Sequence, residues 1–85
     1  MCRNITVLRG LEPTATTEEI EAAALQYVRK VGGIQAVSER TAPAVRQAVE
    51  QVARATAELL DSLPPRQRPP AQDPPLRRLA RRASG

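Results

Sequence analysis

The sequence predicts an all-α fold, an antiparallel helical hairpin with a short extended segment at its amino end and a disordered Pro/Arg-rich carboxy tail. Three observations carry this. Apolar residues recur at helical spacing over 20–31 and again over 45–63. The pair Gly32-Gly33 stands between the two runs as a stop. After residue 63 the pattern ends, and six of the eight prolines follow as three pairs.

Residues 3–12, RNITVLRGLE, are short and mixed. Ile5, Val7 and Arg9 alternate as in a brief extended segment, while Leu8 and Leu11 equally suit a loop laid on helices. Glu12 is pushed out of the α region by Pro13. Helix 1 is expected over 17–31. Thr16 and Glu19 have the spacing of a capping box, and Glu18, Glu19 and Glu21 sit where the helix dipole favours acids. Ile20, Ala23, Ala24, Tyr27, Val28 and Val31 share one face, which places the Tyr27 ring in the core with its hydroxyl at the rim. Arg29 and Lys30 suit the last turn.

Residues 32–41 connect, with Ile34 and Val37 available to tuck inward. Thr41 is placed to cap helix 2, with Pro43 in its first turn. Helix 2 is expected over about 42–63. Its seam of Val45, Val49, Val52, Thr56, Leu59, Leu60 and Leu63 is flanked by alanines, with Arg46–Glu50 and Arg54–Glu58 as i,i+4 pairs. A helix of that length runs about 33 Å and helix 1 about 22 Å. The excess seam predicts a symmetric dimer or a docked partner, with Val45, Val49, Val52, Leu59, Leu60 and Leu63 as its interface.

Composition narrows the function. Eighty-five residues support one small domain, and the chain has one Tyr and no Phe or Trp. A core of Val, Leu, Ile and Ala buries little area per residue, so oligomerisation or a partner surface is expected to add stability. Histidine is absent. That removes the commonest general base and the commonest metal ligand. One cysteine allows neither CxxC nor an intramolecular disulfide, so no metal site or cofactor is expected. No apolar run reaches membrane-span length and no signal-peptide pattern is seen, so the expectation is a cytoplasmic protein with a reduced thiol. Residues 1–63 carry a net −1 and residues 64–85 a net +5. The body and the tail are therefore expected to be separate units, 1–63 and 64–85.

The candidate chemistry sits at the two ends. Removal of Met1 would give Cys2 both a thiol and an α-amine, and that amine together with Arg3 would lower the thiol pKa. Cys2 therefore reads as a packing residue, a redox or disulfide partner, a ligand, or a nucleophile. A nucleophile would still lack an orienting base. Arg3 and Asn4 read as anchors of the amino-terminal segment or as a ligand-binding pair. Arg29, Lys30 and the Gly32-Gly33 amides suit an anion site, though a helix stop is the plainer reading. VGGIQAV resembles the turn of a DNA-binding helix-hairpin-helix only weakly, because its glycines are adjacent. In the tail, LRRLARRA would form a short cationic helix at most. Arg77, Arg78, Arg81 and Arg82 are candidate contacts for nucleic acid, with no aromatic residue to stack on bases. RRAS also fits a basic-directed kinase site, a match frequent by chance.

MCRNI at the start, PTATTEEIEAAALQYVRK with a Gly-bearing turn, and AVRQAVEQVARATAELLDSL together resemble the small bacterial proteins of domain-of-unknown-function family 2277. The resemblance covers about residues 1–63. Members often carry an aromatic near position 11, Pro-Pro before helix 1, and Ser-Gly-Phe where this chain has Gly32-Gly33-Ile34. Without those aromatics the core is expected to be looser. The resemblance implies the domain boundary and a cytoplasmic setting, and no activity, substrate or cofactor. The leading expectation is a small non-catalytic interaction protein, self-associating or docking a partner through the helix-2 seam. Nucleic-acid attachment through the tail and a thiol role at Cys2 are the alternatives.

Overall fold

A computed structural model of the chain describes residues 5–64 and 74–77. Two helices, α1 (Thr17–Gly32) and α2 (Ala42–Ser62), pack side by side as a hairpin. Both fall within one residue of their expected bounds. α1 starts where its capping box operates in both directions. The Glu19 amide donates to Thr16 Oγ1 at 3.1 Å, and the Thr16 amide donates to Glu19 Oε1 at 2.8 Å. It stops at Gly33, whose φ of 64° is the left-handed conformation that suits glycine. The amides of Gly33 and Ile34 close back on the carbonyls of Lys30 and Arg29 at 3.3 and 2.9 Å.

The start of α2 differs from expectation. Thr41 has helical backbone angles and makes no side-chain cap. A capping residue needs extended angles to aim its oxygen at the helix amides. Thr41 Oγ1 instead accepts from the Ser38 amide at 2.9 Å, closing the connector on itself. The ion pair on α2 also differs: Arg54 bonds Glu50 at 3.3 Å, in the more favourable acid-first order.

Leu8, Leu11, Ile20, Ala24, Val28 and Val45, with Pro74, are the buried apolar side chains among the described residues. Leu8 and Leu11 settle on Ile20, with Ala15, Ala53 and Leu60 packed around them. The amino-terminal segment is thus a loop lying on the helices, and Ile5 and Val7 stay exposed. Arg9 fastens it to the end of α2, donating from Nε and Nη2 to the Pro64 carbonyl at 2.9 and 2.6 Å. The buried stripe of α1 is narrower than its apolar face. Ile20, Ala24 and Val28 are covered, whereas Tyr27 is 48% exposed and Val31 more so. Periodicity marks which side of a helix is apolar, but a single neighbouring helix covers only the centre of that side.

Candidate functional site

Two features stand out from the fold. The first is a groove of about 860 Å³ along one side of the hairpin. Ile20 and Leu25 of α1, Val37 of the connector, and Val45, Val49 and Ala53 of α2 give it an apolar floor and walls. Val45 is closed off by α1, while Leu25 and Val37 remain open to solvent. The rim is charged on both sides, with Glu18 and Glu21 on α1 and Arg46, Glu50 and Arg54 on α2. Helical spacing builds this rim, since Arg46, Glu50 and Arg54 recur every four residues beside the apolar stripe.

The seam expected on helix 2 is divided by the fold. Val45 and Val49 line the α1–α2 groove. Leu60 and Leu63 line a second groove of about 670 Å³ beneath residues 8–15. Val52 is half-buried and Leu59 exposed, and neither lines either groove. The excess length of α2 is met largely by the chain itself, because Leu8 and Leu11 cover its carboxy end. That signal was available in the ambiguous leucines of the opening segment.

The second feature is the junction at the start of α1. Residues 75–77 are helical and follow the buried Pro74. There the Arg77 guanidinium meets the Glu19 carboxylate, with Nε donating to Oε2 at 2.6 Å and Nη2 to Oε1 at 3.1 Å. Nη2 also donates to the carbonyls of Pro13 and Thr14 at 2.5 and 3.2 Å. The side chains are 16% and 3% exposed for Arg77 and Glu19. Burial works to raise the Glu19 pKa. It is outweighed by the Arg77 hydrogen bonds, the Thr16 amide and the Arg77 charge, which hold the carboxyl below its ordinary value.

A carboxyl with a lowered folded pKa stabilises above its unfolded pKa and loses that contribution as pH falls through the folded value. The window therefore opens just below the ordinary glutamate pKa of about 4.3. Glu19→Gln is expected to flatten the acid limb of stability against pH. Chemical unfolding of both proteins from about pH 6 to about pH 3 checks this, and parallel curves would contradict it.

The remaining candidates are placed as follows. Cys2, Arg3 and Asn4, and likewise Arg78, Arg81 and Arg82, lie outside the described residues. Arg77 is engaged within the chain. At the end of α1, Arg29 donates to the carbonyls of Ile34, at 3.2 Å from Nε, and of Gln35. The Gly33 amide is likewise spent on the helix, as the plainer reading of a helix stop requires. Among the described residues no three acidic, cysteine or histidine side chains gather as metal ligands would. No helix among them is long and apolar enough to cross a membrane.

Hairpin, groove and junction define, among the described residues, a small all-α body that carries an apolar trough with a charged rim. The chain belongs to the family described as "Uncharacterized conserved protein (DUF2277)", whose model matches residues 1–84. The match agrees with the motifs of residues 1–63 and corrects their reach, because it runs past residue 63 and takes in the turn that carries Arg77. No curated protein and no solved structure matches the chain.

Proposed function

We propose that the protein is a non-catalytic interaction module that pairs with a second copy of itself through the α1–α2 groove. The observation that carries this is the groove: an apolar trough in a chain with only seven buried apolar side chains, Pro74 included, among its described residues. A body this small gains most from burying further area against a like surface. The rim charges favour a second copy over an unrelated helix. A two-fold axis parallel to the helices sets α1 of one chain over α2 of the other at the same height. Glu21 then faces the partner's Arg54, and the contact repeats by symmetry. Arg54 and Glu50 are 66% and 67% exposed, so Arg54 exchanges partners at little cost.

Sedimentation velocity tests this. The wild-type chain is expected to run as a dimer at about 100 μM, and Leu25→Lys to raise Kd roughly a hundredfold while keeping its helical circular dichroism. Glu21→Arg and Arg54→Glu should each weaken pairing, because each sets like charges face to face. Mixed together, they should form a heterodimer in which both contacts are attractive. A monomeric wild-type chain, or a mixture that fails to pair, would overturn the proposal.

A further inference from the structure

The groove leaves the junction at Glu19 unexplained, and that junction joins pieces far apart in sequence. Arg77 touches α1 through Glu19 and the preceding link through the carbonyls of Pro13 and Thr14. The link leads directly into the segment whose Leu8 and Leu11 pack on Ile20 and Leu60. The same segment is held at its other end by Arg9 on the Pro64 carbonyl. Leu11 is thus pinned between two arginine contacts, one to the end of α2 and one from the carboxy-terminal turn. Only a guanidinium has donors arranged to serve a carboxylate edge and two carbonyls together, because a lysine ammonium is a point charge without the planar fork.

We propose that residues 74–77 are a clasp that holds the amino-terminal segment on the hairpin, so that the two ends of the domain open and close as one unit. With the clasp shut, Leu8, Leu11 and Ile20 are buried together against a half-buried Leu60. With it open, they become a second apolar face. The helices can hold their own pairing in both states, because Val45, Ala24 and Val28 lie away from the clasp along the hairpin. An anion that captures Arg77 must first displace it from Glu19, so binding there and a sealed amino-terminal segment exclude one another.

Native-state exchange on the full chain, read at methyl resonances and at amides, tests the coupling. In Glu19→Gln the cap oxygen that serves the Thr16 amide is retained and the carboxylate is lost. The open population, read from exchange broadening of the buried Leu8 and Leu11 methyl resonances, is expected to rise roughly a hundredfold, with the bonded Arg77 amide exchanging faster alongside. The amides of Val49 and Ala53 should change far less. Arg77→Lys should give the same selective pattern at smaller amplitude, and it decides the matter if Glu19→Gln unfolds throughout. The proposal is overturned if the Leu8 and Leu11 methyls show no added exchange, if one end opens without the other, or if Arg77→Lys speeds α2 equally.

Discussion

Replacing Arg77 by methionine is expected to destabilise the domain by about 3 kcal/mol, the lower end of what stranding a buried charge costs. The Glu19 side chain is 3% exposed, and Arg77 supplies donors to both of its carboxylate oxygens. Methionine keeps the stem's packing and removes the charge, leaving a carboxylate out of water with only Thr16 for support. Arg54→Met is the matched control, read on dilute chain below the pairing concentration so that its place on the groove rim does not contribute. Its pair with Glu50 is longer, at 3.3 Å, and well exposed, so its loss should cost no more than about 0.5 kcal/mol. Urea unfolding followed by circular dichroism separates the two, and equal midpoints would show that burial is not what gives the Arg77 pair its weight. The double variant Arg77→Met/Glu19→Gln should recover part of the loss, since it removes the stranded charge.

The pair also marks where sequence reading stops. Thr16 and Glu19 declare a capping box because their spacing of three is itself the geometry. Gly33 declares a stop because only its backbone suits the turn. Both are local, and both stand where expected. Nothing local says that Glu19 has a second partner 58 positions away. Arg77 belongs to a run with Arg78, Arg81 and Arg82, and composition makes the four alike. Folding separates them, because Arg77 follows the buried Pro74 in a turn set against the start of α1. A tail with a net charge of +5 was therefore legible as cationic, but not as holding a residue that completes the body.

The groove shows the same division. Val45 and Val49 were legible as seam residues from their spacing, and both line the trough. Leu25 and Val37 were not singled out for it. Leu25 lies off the main face of α1, and the position of Val37 depends on how the connector closes through Ser38 and Thr41. Leu59 and Tyr27 fit their periods and still face solvent. The period gives a helix an apolar side, and the number of neighbours decides how much of that side is covered.

Leu11→Ala is expected to cost about 3 kcal/mol, comparable to the loss of the Arg77 charge. Leu11 and its neighbour Leu8 are the buried apolar side chains of the amino-terminal segment among the described residues. Their partners Ile20 and Leu60 come from both helices, so the segment joins the hairpin at the level where α1 begins and α2 ends. In a core this small, truncating one apolar side chain leaves a cavity that a backbone fastened at Arg9 and at Pro13 relaxes poorly to fill. Val7→Ala, four residues earlier on the same segment and exposed, should cost less than about 0.5 kcal/mol. The slope of the urea transition carries further information. If Leu11→Ala merely opens a cavity, the midpoint falls and the slope holds. If the segment detaches, less surface remains to be exposed on unfolding, and the slope falls as well. A Leu11→Ala midpoint equal to that of Val7→Ala would remove the amino-terminal segment from the core.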